Sequence, residues 1–404
     1  MPTDTIEREL SRGEDVSIIN IVDYLIARAY ASKASDIHID PTRDGMRVRM
    51  RVDGVLHDAY VLPSDIRSEI IARIKVLSHL RTDEHQMPQD GRFHHEFLSG
   101  DTLDVRVSIA PTYYGENVVL RLLSGYAEEC SLQMLGLAED DIKRITAAIE
   151  KQSGMILVTG PTGSGKTTTL YTLMRMINTP QVSIVSIEDP IEYSIDGVLQ
   201  LQVNPRVGLS FANGLRTILR QDPNIIMVGE IRDAETAAIS INTALTGHLL
   251  LSTLHTSDAA TTIPRLLDMR AENFLVASTL RLSIGQRLVR KLCEHCKVRE
   301  RIGGDAWKAL SQLALHNLFE ETSDVYKNVG CGNCAETGFV GRVCIAECLV
   351  VDDDMRDAIL RRAPAAELKK IALESGMTTM LQDGFQKVLN GTTTIEEVLR
   401  VIHD

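Results

Sequence analysis

Residues 155–177 read MILVTGPTGSGKTTTLYTLMRMI, in which an apolar run leads through a glycine-rich loop into a helical segment. Gly160, Gly165, Lys166 and Thr167 match the pattern G-x-x-x-x-G-K-[ST]. The glycines let the backbone curl so that its N–H groups point at phosphate oxygens, and the positive end of the helix adds to that attraction. In this pattern the lysine reaches the β and γ phosphates and the threonine hydroxyl ligates Mg²⁺.

An ordinary glycine-rich turn is the alternative interpretation of this loop. The apolar strand before it and the helix after it supply the context that a phosphate loop requires, so we favour the phosphate site. The residues that we expect to cradle the phosphates are those of the loop and of the first helical turn, namely Gly160, Pro161, Thr162, Gly163, Ser164, Gly165, Lys166, Thr167 and Thr168.

Two other apolar segments end in acidic residues. VSIVSIED (182–189) ends at Glu188 and Asp189, and NIIMVGE (224–230) ends at Glu230. Because ligands of α/β sheets collect at the carboxyl ends of strands, we expect these acids to converge on one nucleotide. An ATPase needs one carboxylate to hold or orient Mg²⁺ and another to position the attacking water. For each acid, an ordinary turn at the end of a strand remains the alternative.

A further strand, HLLLSTLH (248–255), carries histidines at both ends. Their odd spacing puts His248 and His255 on opposite faces of a continuous strand, roughly 23 Å apart at about 3.3 Å per residue. They therefore cannot both touch one phosphate. His255, at the carboxyl end, is the better candidate for sensing the γ-phosphate, whereas His248 is expected to serve structure or a subunit contact.

The segment LRTILRQD (215–222) places Arg216 and Arg220 four residues apart, on one face of a predicted helix. A solvated helix face is the simple interpretation. The functional interpretation is that both arginines supply positive charge to a phosphate or to a neighbouring subunit.

The pattern of apolar and polar residues along the sequence predicts two domains. Short alternating segments such as MRVRMRVDG (46–54) predict a small N-terminal α+β domain with antiparallel strands over 1–125. Over 126–404, apolar β-branched strands alternate with helices, as in a doubly wound α/β core. Within that second domain we expect a cysteine-bearing insert at about 290–340 and a subdomain of short amphipathic helices at about 345–404.

The composition restricts the class of protein. Among 404 residues, 44% are hydrophobic and 24% charged, as in globular proteins. There is no run of eighteen apolar residues and no apolar N-terminal signal segment, so we expect a cytoplasmic protein. The 43 basic and 55 acidic residues give a net charge of −12, which argues against a sequence-independent nucleic-acid binder.

Four of the seven cysteines form two C-x-x-C pairs, Cys293 with Cys296 and Cys331 with Cys334, and 34 residues separate the pairs. In a cytosolic chain such clusters indicate metal rather than disulfides. Four thiolates make a closed tetrahedral Zn²⁺ site, and the metal supplies folding energy to an insert with little core. Unligated thiols are the alternative. The remaining cysteines are expected to be buried structural thiols: Cys130, Cys344 and Cys348.

As a set, the motifs are similar to those of the type II secretion and type IV pilus assembly ATPases, from about residue 16 to the end. This set is more specific than a phosphate loop alone. The segments that carry the resemblance are ASDIHIDP, VRMRVDG, RIKVLSHL, MPQDGRF, GPTGSGKTTTLY, SIEDPIEY, LRTILRQDPNIIMVGEIRDAETA, TGHLLLSTLHT, QRLVRKLCEHC and CGNCAETGFVGR.

The resemblance implies an ATP-hydrolysing, RecA-like P-loop core that follows a PAS-like N2 domain. Glu188 matches the general base of the family's acidic box, Glu230 matches its Walker B acid, and His255 lies in the segment that matches its histidine box. Glu230 and Thr167 would hold Mg²⁺ beside ATP. The arginines that match positions proposed to contact phosphates are Arg106, Arg121, Arg216, Arg220 and Arg342.

The resemblance also implies partners. The expected assembly is a homo-hexamer on the cytoplasmic face of the inner membrane, working with an inner-membrane platform protein and cytoplasmic docking proteins, without nucleic acid. Its expected work is assembly of type IV pili or type II secretion pseudopili, because retraction motors usually lack the zinc insert. Two alternatives stay open: a pilus retraction ATPase, and a nucleic-acid translocase or conjugative ATPase.

Overall fold

The computed structural model describes residues 3–97, 99–123, 130–302 and 324–403. The chain divides into two compact units, Met1–Glu128 and Glu129–Asp404. No helix in the described residues is long and apolar enough to cross a membrane.

The first unit is one antiparallel sheet of six strands with helices packed against it, in the strand order β3-β2-β1-β6-β5-β4. Alternation fixes its faces: Met46, Val48 and Met50 are buried on β2, while the arginines between them point to the opposite face. Its elements are α1 (Thr3–Leu10), α2 (Ile18–Ala31), β1 (Ala34–Pro41), β2 (Gly45–Val52), β3 (Val55–Pro63), α3 (Arg67–Leu77), β4 (Gln89–Glu96), β5 (Thr102–Thr112) and β6 (Gly115–Leu123).

The second unit is built on a seven-stranded sheet in the order β15-β12-β7-β11-β10-β8-β9. All its neighbouring strands are parallel except β15, which runs antiparallel to β12. Two further strands, β13 and β14, pair as a separate antiparallel hairpin.

The elements of the second unit are α4 (Leu132–Leu135), α5 (Glu139–Ile149), β7 (Gly154–Thr159), α6 (Lys166–Ile177), β8 (Ile184–Glu188), β9 (Val198–Gln202), α7 (Phe211–Ile218), β10 (Ile225–Val228), α8 (Ala234–Leu245), β11 (Leu249–Leu254), α9 (Thr262–Asp268), α10 (Asn273–Thr279), β12 (Leu280–Leu292), β13 (Lys297–Arg301), β14 (Asp324–Asn328), β15 (Phe339–Val350), α11 (Asp353–Leu360), α12 (Ala365–Glu374), α13 (Met380–Leu389) and α14 (Ile395–His403). Short 3-10 turns lie at Gly13–Asp15 in the first unit and at Pro205–Val207 and Gly332–Cys334 in the second.

The position of β7 in the sheet explains why its sequence is a continuous apolar run. Met155 and Leu157 pack into the hydrophobic core on one face of the sheet, and Ile156 and Val158 pack into the core on the other face. Because both faces are covered, no polar alternation is needed along a parallel strand of this kind. The doubly wound α/β core predicted from the sequence is confirmed.

The structure corrects the predicted start of the C-terminal helices, placed at about residue 345. β15 runs to Val350 along β12, so the first C-terminal helix begins at Asp353. Residues 345–350 stay in the sheet because side chains from both of its faces, among them Ile345 and Ala346, are fully buried.

The last helix is tied to β12 by one carboxylate. Glu397 is 3% exposed and accepts hydrogen bonds from the Arg290 guanidinium at 2.6 Å and from its main-chain N–H at 3.1 Å. The Arg400 guanidinium donates to both Glu397 oxygens, at 3.0 and 2.8 Å. Burial raises the pKa of Glu397, but the donors from Arg400 and Arg290 outweigh it and lower the pKa to about 2.

We expect Glu397→Gln to lower the melting temperature at pH 7 and to flatten its decline in acid. Because the folded pKa lies below the ordinary value of 4.5, the wild type holds this stabilisation above about pH 4.5 and loses it as the pH falls towards 2. At about 1.4 kcal/mol for each unit of pKa, that difference corresponds to roughly 3 kcal/mol. Thermal unfolding followed by circular dichroism at pH 7 and pH 3 measures both effects.

Glu396→Gln is the matched control, because Glu396 is exposed and precedes Glu397 in the same helix. We expect this variant to follow the wild-type pH dependence. Equal melting temperatures for the two variants at pH 7 would contradict the assigned role of Glu397.

Candidate nucleotide site and cysteine cluster

The predicted phosphate loop lies between the end of β7 and the start of α6. Gly160 has a φ of +147°, and a Cβ there would lie 2.4 Å from the main-chain oxygen of Gln286 and 2.6 Å from Ser164 Oγ. Gly165, just before the helix, has a φ of +87°. Both positions therefore need glycine, one for space and conformation and the other for conformation.

Lys166 closes this loop on itself. Its Nζ donates to the main-chain oxygens of Gly160 and Pro161, both at 2.9 Å. Burial lowers the pKa of Lys166, and the negative charge of Glu230 opposes that effect. The buried Ser164 Oγ has no hydrogen-bond partner among the described residues. A bound phosphate would give Ser164 a partner and Lys166 a counter-charge, so the loop fits the nucleotide that its sequence predicts.

Two of the predicted strand-end residues meet directly. Glu230 follows β10 by two residues and His255 follows β11 directly, and His255 Nε2 lies 3.2 Å from Glu230 Oε2. Arg232 also contacts this carboxylate, with Nη2 2.6 Å from Glu230 Oε1. Arg232 was not predicted, although a cation two residues after a strand-end acid is a visible signal. The Glu230 carboxylate therefore lies between the His255 imidazole and the Arg232 guanidinium at the carboxyl edge of the sheet.

Glu188, the last residue of β8, is only 2% exposed. Three side chains donate to its carboxylate: Tyr171 from the helix that follows the phosphate loop, Ser186 Oγ at 2.5 Å, and Gln200 Nε2 at 3.1 Å from the neighbouring β9. Burial and the charge of Glu188 raise the pKa of Tyr171, which keeps its hydroxyl protonated as a donor. No motif in the sequence indicates these three donors. Through Tyr171, the acid is connected to the helix that begins at Lys166.

The other predicted residues of the second unit lie apart from these contacts. Arg216 ion-pairs with Glu235 at 2.6 Å, and the Arg220 guanidinium donates to the Arg216 carbonyl at 2.9 Å. Arg342 lies on β15 opposite Arg290 of β12. Thr167 and Thr168 occupy the first turn of α6, next to Lys166. The proposed phosphate roles of these arginines stay predictions.

In the first unit, Arg106 of β5 lies directly opposite Arg121 of β6. Cross-strand partners point to the same face, so the two guanidinium groups share one side of this sheet. Arg121 Nε donates to Asp36 Oδ1 at 3.0 Å, and Asp36 is 5% exposed. The fold therefore places the two predicted arginines of this unit on adjacent strands, on the same face of the sheet.

The four predicted cysteines converge. Their Sγ atoms all lie within 4.8 Å of one another, with 3.9 Å between Cys293 and Cys331, 3.8 Å between Cys296 and Cys334, and 3.7 Å between Cys331 and Cys334. Tetrahedral Zn²⁺ with Zn–S bonds of about 2.3 Å requires sulfur–sulfur separations of about 3.8 Å. The main-chain N–H groups of Cys331 and Gly338 both donate to Cys334 Sγ at 3.2 Å, which favours the thiolate. The donor set fits a structural zinc ion.

The remaining cysteines differ among themselves. Cys344 and Cys348 are buried on β15, and burial raises the pKa of the Cys344 thiol to about 12 and that of Cys348 as well. Cys130 is only partly buried, contrary to the expectation from sequence. His248 precedes β11, and its Nδ1 lies 3.1 Å from the Thr243 carbonyl at the end of α8, a contact that favours the structural interpretation.

A family model described as Type II/IV secretion system protein matches residues 11–400. The chain is 45% identical over 402 residues to type II secretion system protein E of Xanthomonas campestris pv. campestris, covering 100% of this chain and 70% of that protein. It is 45% identical over 378 residues to the type IV pilus assembly ATPase PilB of Thermus thermophilus, covering 94% of this chain and 42% of that one.

Among solved structures, the pilus retraction motor PilT with bound ADP matches with a TM-score of 0.60 and 26% identity, over 93% of this chain and 95% of that chain. The RecA-like fold and the family predicted from the motifs are both confirmed. The chain therefore belongs to the type II/IV secretion system protein family and is a P-loop ATPase of that family.

Proposed function

We propose that this chain works as a cytoplasmic homo-hexamer that hydrolyses ATP to power assembly of type IV pili or type II secretion pseudopili. The observation that carries the proposal is that the Lys166 loop, Glu188, Glu230 and His255 all lie at the carboxyl ends of neighbouring parallel strands of one sheet. The 45% identity to an assembly ATPase and to a secretion protein supports the same activity.

In this proposal each group has one task. Lys166 exchanges its carbonyl partners for the β and γ phosphates, and the hydroxyl of Thr167 together with Glu230 holds Mg²⁺. Bound Mg²⁺ neutralises charge that develops on the phosphates. Glu188, held in place by its three donors, orients the attacking water and accepts its proton. His255 senses whether the γ-phosphate is present, and its contact with Glu230 links it to the metal-binding carboxylate of this proposal.

The arginines of the first unit supply charge to the γ-phosphate in this proposal, with Arg216, Arg220 and Arg342 as further phosphate contacts. The support is that Arg106 and Arg121 are cross-strand partners and match family motifs. Hydrolysis removes the charge that attracts them, so nucleotide turnover becomes a conformational cycle. Contacts of this kind are worth about 10³–10⁵ in rate. Wild-type turnover in Arg106→Ala would remove this part of the proposal.

The work of that cycle is exerted, in this proposal, on an inner-membrane platform protein, with cytoplasmic docking proteins holding the ring against the inner membrane. Pilus retraction is less well supported, because identity to the retraction motor is 26% and to the assembly ATPase 45%. A nucleic-acid translocase or conjugative ATPase is disfavoured by the net charge of −12. Stimulation of ATP turnover by DNA would instead favour the nucleic-acid translocase or conjugative ATPase.

Lys166→Ala tests the ATPase directly. We expect the purified chain to release phosphate from ATP and the variant to lose that activity, because the loop loses the ammonium group that Lys166 would bring to the phosphates. Lys151→Ala is the control, since Lys151 is exposed and lies just before β7. A wild-type rate in Lys166→Ala, or no ATP turnover by the unaltered chain, would contradict the proposal.

Tyr171→Phe tests the role of Glu188. Removing the hydroxyl leaves the buried carboxylate with one donor fewer, so we expect kcat to fall roughly 10- to 100-fold while the affinity for ADP stays within a few-fold. Steady-state ATPase kinetics and ADP titration give the two quantities. Ser186→Ala removes a second donor and should act in the same direction. An unchanged kcat in both variants would exclude Glu188 as the water-positioning base.

We further propose that Cys293, Cys296, Cys331 and Cys334 hold one structural Zn²⁺ per chain. We expect elemental analysis to find one zinc, Cys331→Ser to lose it, and Cys130→Ser, outside the cluster, to keep it. Because metal binding supplies folding energy locally, chelation should open residues 290–340 to protease. Stripping the zinc without new cleavage in that region would refute a structural role.

A further inference from the structure

Gln286 lies in the middle of β12 and is 1% exposed, between Gly285 and Arg287. Both ends of its amide are used. Nε2 donates to the main-chain oxygen of Ser164 at 2.7 Å, and Oε1 accepts from Thr169 Oγ1 at 2.9 Å. A buried amide that is satisfied on both sides fixes the relative position of the groups that it joins.

The backbone of Gln286 approaches the same loop from its other end. Its main-chain oxygen would lie 2.4 Å from a Cβ at Gly160, which is why that position accepts only glycine. Its Nε2 would lie 3.2 Å from a Cβ at Gly165. This one residue therefore lies against the start of the phosphate loop, against its end, and against the first turns of α6.

We propose that Gln286 is a positioning residue that sets the curvature of the phosphate loop, so that the loop's N–H groups point towards the phosphates before nucleotide arrives. The inference rests on the proposed function only in taking nucleotide as the ligand of the loop. Gln286 touches no phosphate itself. It acts through Ser164 and Thr169, which it holds at a fixed separation.

The chemistry of the amide is specific to this task. A carboxylate in place of the amide would present a second acceptor to the Ser164 carbonyl, and an aliphatic side chain would leave that carbonyl and the Thr169 hydroxyl without this partner. Gln286→Glu and Gln286→Leu therefore disturb the loop for different reasons, repulsion in one case and a lost bridge in the other.

Three variants test the proposal in the whole 404-residue chain: Gln286→Leu, Gln286→Glu and the milder Thr169→Val. The control is Gln386→Glu, which makes the same charge change at an exposed site. The readouts are the Kd of ADP, the KM and kcat for ATP, and amide hydrogen exchange across residues 160–169 without nucleotide.

We expect both Gln286 variants to raise the Kd of ADP and the KM for ATP about 10- to 100-fold, with a smaller effect on kcat, because Gln286→Leu removes both hydrogen bonds and Gln286→Glu replaces the donor to Ser164 with an acceptor. Exchange across 160–169 should accelerate at least about tenfold in the same variants. Thr169→Val should give a smaller change, because it removes only the hydrogen bond to Gln286 Oε1. Adding it to Gln286→Leu should change little further, since Gln286→Leu already removes that hydrogen bond.

An ADP Kd and an exchange rate within twofold of wild type in folded Gln286→Leu would overturn the proposal, as would additive effects of Gln286→Leu and Thr169→Val. If Gln286→Leu fails to fold, Thr169→Val decides: a wild-type Kd and exchange rate there would also overturn it. An unaltered chain that binds ADP but does not turn over ATP would contradict the proposed function and leave these binding and exchange readouts valid for Gln286.

Discussion

The site depends on the burial of β7 between β11 and β12, because that strand fixes where the phosphate loop begins. Thr159, its last residue, donates from Oγ1 to the Leu254 carbonyl of β11 at 3.0 Å and accepts from the Thr256 N–H at 3.0 Å. On the other side, Gln286 of β12 holds the loop itself. The loop is thus fixed from both neighbouring strands, and His255, between Leu254 and Thr256, is held by the same contacts.

Each acid of the site is positioned by groups from other elements. Glu230 is placed by His255 and Arg232, whereas Glu188 is buried and held by uncharged donors. The two acids therefore have different surroundings: Glu230 contacts a guanidinium and an imidazole, whereas Glu188 accepts hydrogen bonds from two hydroxyls and an amide. The proposed division of tasks, a carboxylate for the metal and a carboxylate for the attacking water, assigns a different task to each of these surroundings.

The sequence predicts site residues that belong to short local motifs. It does not predict the side chains from distant parts of the chain that hydrogen-bond to those residues. The phosphate loop, the strand-end acids and the cysteine pairs each follow from a short motif next to a strand. Tyr171 and Gln286 could not be assigned, because their partners lie 17 residues away in one case and 117 and 122 in the other. Gln286 lies in a strand that also carries Arg281, Ser283 and Arg287, so its polarity does not single it out. The end of β15 was missed because its residues 343–349 form a continuous buried run without the alternation that marks a half-buried strand.

The cysteine cluster lies beside the two-stranded sheet of β13 and β14. The β13–β14 hairpin has only two strands, which are marginal alone, and Val298 on it is 52% exposed. Cys293 follows β12 directly, and its N–H donates to the Gly338 carbonyl at 2.9 Å, just before β15 begins. A Zn²⁺ ion bound by the four sulfurs would join the end of β12 to the segment that leads into β15. Because β12 also carries Gln286, seven residues before Cys293, the proposed zinc would secure the end of the strand whose middle contacts the phosphate loop.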